Sequence, residues 1–117
     1  QYLEHQKRRA VISRMERART GIQEQHTESS LSLQDVCDEV FLSVSQFSVL
    51  FKEDTGMTFV EYLTQCRVEH AKKLLRDTDL RAYEIAERVG YSDPRYFTYV
   101  FKRVTGATST EYRRRGA

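Results

Sequence analysis

Proline appears once in these 117 residues and glycine five times, too little of either for a collagen-like or compositionally disordered chain. No apolar run approaches the roughly 18 residues of a membrane span, and no signal-peptide pattern is present. Cysteine is limited to Cys37 and Cys66, which lack metal-ligand spacing, and the histidines His5, His26 and His70 are scattered. No metal site and no cofactor is therefore expected. With no secretory signal, the cysteines are read as reduced and the location as cytoplasmic. Glycine-rich phosphate loops, nucleophile elbows and paired carboxylates are missing, so no enzyme is expected. Strand alternation is missing as well, which leaves an all-α fold. The chain starts at Gln rather than Met and is read as a piece of something longer.

What is present is aromatic and charged. Seven tyrosines and six phenylalanines are enough to build cores, and the length suits one domain or two very small ones. The net charge of only +2 hides an uneven distribution. Residues 1–27 carry six basic and three acidic groups, and residues 28–62 carry one basic group, Lys52, and seven acidic ones. Residues 63–117 carry twelve basic and seven acidic groups, so a polyanion should meet the C-terminal block first.

The organisation comes from an internal repeat. Shifted by 50 residues, Phe47, Phe51, Lys52, Thr55, Gly56, Thr58, Glu61 and Tyr62 fall on Phe97, Phe101, Lys102, Thr105, Gly106, Thr108, Glu111 and Tyr112. Upstream the shift is 49, with Val36, Cys37, Val40 and Ser43 on Ile85, Ala86, Val89 and Ser92. Two copies are too few for a solenoid and fit a pair of similar subdomains.

Each copy spells two helices with marked ends. In the first, Ser32 caps a short helix bearing Val36, Cys37 and Val40, and Ser43 with Gln46 forms a capping box for the next. That second helix carries the stripe Phe47, Leu50, Phe51 and stops at Gly56. In the second copy Ile85, Ala86 and Val89 make the short helix, and Asp93 caps the longer one with Pro94 at its first position. Phe97, Val100 and Phe101 repeat the stripe, and Gly106 the stop. Thr58 to about Arg76 reads as one continuous helix of about 28 Å, with Phe59, Leu63, Cys66, His70 or Ala71, and Leu74 on its apolar side. Val11, Met15, Ala18 and Ile22 mark a first helix. The expected layout is a linker over 1–10, a first helix-turn-helix subdomain over 11–57, a connecting helix over 58–77 and a second subdomain over 78–117.

A short helix, a turn and a longer helix with one polar side describe a helix-turn-helix. A connecting helix of about 28 Å would hold two such second helices near one DNA turn apart, about 34 Å. Once the apolar stripes are buried, the positions left to face a ligand are Ser45, Ser48, Val49 and Lys52 on the first reading helix (about 44–55). On the second (about 94–105) they are Arg95, Thr98, Tyr99, Lys102 and Arg103. Arg113, Arg114 and Arg115 are left open between a solvated tail and a phosphate clamp. Cys37 and Cys66 are both expected on buried faces.

From Leu33 to Arg113 the chain resembles the paired helix-turn-helix domain of AraC/XylS-type transcription factors. The likeness is carried by Phe51-Lys52-Glu53-Asp54-Thr55-Gly56, Thr58 and Tyr62, by Glu84 to Pro94, by Tyr96-Phe97 to Phe101-Lys102, and by Thr105-Gly106 with Glu111-Tyr112-Arg113. In detail it is most similar to the effector domains of AraC-type response regulators. The resemblance implies seven helices in two subdomains, with the third and sixth reading double-stranded DNA in successive major grooves for a bacterial regulator. It implies a sensor or receiver domain N-terminal to this segment. Val49 and Tyr99 depart from the pattern, standing where the family often has Arg or another long polar residue. A second reading makes the acidic first copy a protein-interaction surface for polymerase or another regulator.

Overall fold

The computed structural model describes residues 1–116. Its order is α1 (Tyr2–Gln25), α2 (Leu33–Glu39), α3 (Val44–Thr55), α4 (Phe59–Asp77), α5 (Ala82–Val89), α6 (Pro94–Thr105) and α7 (Ser109–Gly116). Among the described residues there is no strand, and no helix is long and apolar enough to cross a membrane. The segment expected as a linker over 1–10 takes helical backbone from Tyr2 onward, in the first turns of α1, and its side chains are exposed.

The chain divides into two compact units. The first comprises residues 1–25 and 30–63, and the second His26–Ser29 together with the chain from Thr64 onward. In the first unit Met15, Ala18 and Ile22 of α1 are buried, as are Val36, Cys37, Val40, Phe47 and Phe51 of the helix-turn-helix, and Phe59 and Leu63 at the start of α4. The Phe47 and Phe51 rings stack at 5.0 Å, and Tyr62 meets Phe51 edge-on at 5.3 Å. The second core gathers Val68, Ala71 and Leu75 with Ile85, Ala86, Val89, Tyr91, Phe97, Val100 and Phe101. There Tyr112 meets Phe101 edge-on at 5.6 Å, repeating the Phe51–Tyr62 contact at the same sequence offset. The repeat is thus a repeat of packing, each unit closing its core with a tyrosine against the last phenylalanine of the stripe.

Local chemistry sets the boundaries. Gly56 and Gly106, with φ of 76° and 80°, close α3 and α6 in the left-handed region where a side chain is costly. The hydroxyls of Thr55 and Thr105 donate to the carbonyls of Phe51 and Phe101 and accept the N–H of Met57 and Ala107, fixing both exits alike. Reciprocal bonds of Thr58 with Glu61 and of Thr108 with Glu111 start α4 and α7.

The apolar side of α4 agrees with the expected one at Phe59, Leu63 and Ala71 and departs from it at the other positions. Val68, Ala71 and Leu75 are buried, whereas Cys66, His70 and Leu74 are half-buried. Arg67 explains the rotation. Its guanidinium is buried because Nε donates to the His26 carbonyl (2.8 Å) and Nη2 to the Glu28 carbonyl (2.9 Å), while the Tyr91 ring lies 5.2 Å from its central carbon. A buried charge so satisfied takes a core position that periodicity would assign to an apolar residue.

Candidate nucleic-acid interface

The two reading helices are positioned by their caps and their phenylalanines. On α3 the Ser43 hydroxyl accepts the Gln46 N–H (3.2 Å) and the Ser43 N–H donates to Gln46 Oε1 (3.1 Å), so the first turn is closed on both sides. Phe47 and Phe51 are buried, which turns Ser45, Ser48, Val49 and Lys52 outward together. On α6 Asp93 Oδ1 accepts the Arg95 N–H at 2.9 Å, and Pro94 occupies the first position, where no donor is needed. With Phe97, Val100 and Phe101 buried, Arg95, Thr98, Tyr99, Lys102 and Arg103 are all exposed. Every position assigned to the interface from the sequence is therefore solvent-facing, four on α3 and five on α6.

The two helices differ electrically at matched positions. Arg95 and Arg103 of α6 stand where α3 has Ser45 and Glu53, while Lys102 and Lys52 match. Lys52 moreover lies 3.8 Å from Glu61, an exposed pair that offsets its charge. Glu61 and Glu111 are held below the ordinary carboxylate range first by the N–H of Thr58 and Thr108 at their helix starts, with a further contribution from Lys52 in one case and from Arg115 and Lys102 in the other. The side chain of Arg95 is 97% exposed, its nearest carboxylate being Asp93 at 4.0 Å.

Several hydroxyls on α6 are already engaged. The Thr98 hydroxyl donates to the Pro94 carbonyl at 3.0 Å, which leaves its lone pairs and methyl for a ligand. Tyr99 accepts a hydrogen bond from Arg103 Nη1 at 3.3 Å, so the two act as one group. Tyr96, absent from the positions expected at the interface, is exposed and stacks on Tyr99 with centroids 6.4 Å apart and an angle of 28°. Its signal in the sequence was an aromatic residue at a position the core does not use. The C-terminal arginines divide. Arg113 is half-buried and donates to the carbonyls of Leu75 (3.0 Å) and Thr78 (2.9 Å), so it is neither tail nor clamp, while Arg114 and Arg115 are exposed. Among the described residues no group of three or more His, Cys, Asp or Glu side chains could hold a metal ion.

Against known proteins, the helix-turn-helix domain family matches residues 36–115. The transcriptional regulatory protein YesN of Bacillus subtilis is 40% identical over 109 residues, covering 91% of this chain and 29% of that protein. The HTH-type transcriptional activator RhaR of Mannheimia succiniciproducens is 43% identical over 83 residues, covering 71% of this chain and 30% of that protein. The chain thus spans less than a third of the curated relatives it matches. Among solved structures, the C-terminal domain of AraT, a response regulator from Geobacillus stearothermophilus, superimposes with a TM-score of 0.84 at 39% identity, covering 86% of this chain and 84% of that one. Two capped helix-turn-helix pairs, each with its polar side free, and a family match over most of the length lead to one assignment: this chain belongs to the AraC-type helix-turn-helix domain family.

Proposed function

We propose that this chain binds double-stranded DNA sequence-specifically as the DNA-reading part of a bacterial transcriptional regulator, with α3 and α6 in successive major grooves. One observation carries the reading: in both units the cap and the phenylalanine stripe turn the same four positions of the second helix to solvent, residues 45, 48, 49 and 52 in the first and 95, 98, 99 and 102 in the second. A major groove admits such a helix, and its hydrogen-bonding edges are read by side chains of this kind. The contributions are unequal. Arg95, Lys102 and Arg103 give α6 most of the attraction to phosphate and a fork suited to guanine, whereas α3 contributes register and weaker contacts. DNA binding of this kind is a cytoplasmic function in bacteria. The names of the relatives, a transcriptional activator and a response regulator, support the wider role, in which a sensor or receiver domain outside this segment controls it.

Selection of bound sequences from random duplexes, followed by footprinting, tests the reading. The expected outcome is one enriched motif and protection of two successive grooves. A motif of half that length would leave only one engaged helix, and no enrichment at all would overturn the proposal.

A second reading applies to the first unit, where Asp35, Asp38 and Glu39 of α2 are exposed and the Phe41 side chain is 78% exposed. An acidic surface with an exposed aromatic fits a protein partner such as RNA polymerase or a neighbouring regulator, and it is compatible with DNA binding through α3. Alanine at Phe41 and Asp38 would then lower transcription without changing DNA affinity.

A further inference from the structure

Guanine is read in the major groove by a forked cation, and adenine by the amide of Asn or Gln. On α3 neither fork is free. The helix contains no Arg and no Asn, its Lys52 is paired with Glu61 at 3.8 Å, and the next residue is Glu53. Its Gln46 has the amide oxygen engaged by the Ser43 N–H and within 3.1 Å of the Ser43 hydroxyl, so it cannot present donor and acceptor together. What remains outward is Ser45 and Ser48, whose single hydroxyls pair with any base, and two apolar residues, Val44 in the first turn (39% exposed) and Val49 further along the face, the more open of the two at 59%. An apolar side chain at the centre of a reading face has one base feature to recognise there, the C5 methyl of thymine.

We propose that α3 selects its half of the DNA site through thymine methyl groups, with Val49 as the specificity-determining residue. This rests on the DNA-binding reading above and deepens it: the chain reads an asymmetric site, thymine-bearing under α3 and guanine-bearing under α6. The contrast sits at one repeat position. Val49 corresponds to Tyr99, whose hydroxyl accepts from Arg103 and which is therefore polar where Val49 is not.

The test replaces thymine by deoxyuridine, one position at a time, in the duplex obtained by selection. Uracil keeps every hydrogen-bonding group of thymine and lacks only the methyl. At one or two thymines confined to one half of the site, affinity should fall about 4-fold, the worth of one buried methyl group. With Val49→Ala, thymine and uracil should bind alike at those positions, while deoxyuridine in the other half has the same small effect on both proteins. Val49 lies on the surface, so the substitution should leave the unfolding transition in place, which is checked in parallel. If deoxyuridine is tolerated everywhere while the duplex is still bound specifically, the methyl reading fails and the DNA-binding reading stands. If Val49→Ala keeps the thymine preference, Val49 is not its source and the assignment is overturned. Failure to select any duplex would remove both.

Discussion

Phe41 and Gly90 occupy the same point of two equivalent turns, 49 residues apart, and both have positive φ, 58° and 112°. The surroundings differ. Phe41 projects into solvent, 78% exposed, whereas a Cβ on Gly90 would overlap the His26 carbonyl oxygen and stand 2.7 Å from Arg67 Nε. In the second unit the loop His26–Ser29 lies against the turn, so only glycine fits. In the first the turn is open and tolerates a side chain at the cost of left-handed backbone. Phe41→Gly should therefore stabilise the first unit by about 0.5–1 kcal/mol, since little burial is lost and strain is relieved. Gly90→Ala should destabilise the second by about 3 kcal/mol or more, through strain and overlap together. Urea unfolding followed by circular dichroism checks both, and a Phe41→Gly variant less stable than the parent would contradict the role given to strain.

Arg67 joins α4 to the loop through two carbonyls of residues about 40 positions earlier in the chain. Truncation to Met keeps much of the bulk but leaves the carbonyls of His26 and Glu28 without those donors, so about 2–4 kcal/mol of stability should be lost. Lysine should rescue little of it, because a single ammonium cannot span two acceptors as the planar fork does. Thermal unfolding of Arg67→Met and Arg67→Lys tests this. Equal stability of Arg67→Lys and the parent would show that charge, not geometry, is what the site needs.

These examples divide what the sequence reveals from what it hides. The caps at Ser32, Ser43 and Asp93 and the stops at Gly56 and Gly106 are local, set by one residue and its next three or four neighbours, so they were readable. The phenylalanine stripes were readable through their period and their duplication. Arg67, Arg113 and the His26–His70 pair were not, because each depends on a partner 35 to 44 residues away and breaks the rule that charged or polar residues face water. Periodicity alone also misjudged Cys66, which is half-buried where the stripe would bury it. On α3 and α6, subtracting the core identified side chains that do face solvent. The Tyr96–Tyr99 stack and the Tyr99–Arg103 bond lie among those side chains, and burial does not rank them.

His26 Nε2 and His70 Nδ1 are 2.8 Å apart, with the rings edge-on at 5.0 Å. That bond needs one nitrogen as donor and the other as acceptor, so it cannot survive double protonation. Burial first, then the charges of His26 and Lys73, holds His70 below the ordinary imidazole range. The folded state accordingly binds fewer protons than the unfolded one. Its contribution is fully present above the unfolded value of about 6.5 and is lost as pH falls through the lower folded value. Urea midpoints should drop between pH 7 and pH 5, and His70→Gln, which does not titrate, should flatten that part of the profile. An unchanged slope in His70→Gln would assign the pH dependence to other groups.

Lys52 and Lys102 share a repeat position and an equivalent glutamate but differ in the closeness of that pair and in the next residue, Glu53 against Arg103, and the salt dependence of binding should separate them. For each phosphate of B-form DNA that a variant no longer neutralises, the slope of log affinity against log salt becomes shallower by about 0.9. Lys102 acts on Glu111 as Lys52 acts on Glu61, but with no ion pair within 4.0 Å among the described residues and with Arg103 beside it, so Lys102→Ala should come nearer to that full decrement. Lys52 already neutralises Glu61, so Lys52→Ala releases a carboxylate as well as removing a cation, and affinity should fall without a full unit of slope. Arg95→Ala should behave differently from both. If Arg95 reads a base, it costs about 1–3 kcal/mol on the selected duplex and relaxes preference at one position, with little change of slope. Ser48→Ala should cost less than Arg95→Ala. The reverse order would place the stronger reading helix in the first unit and invert the division of labour between α3 and α6.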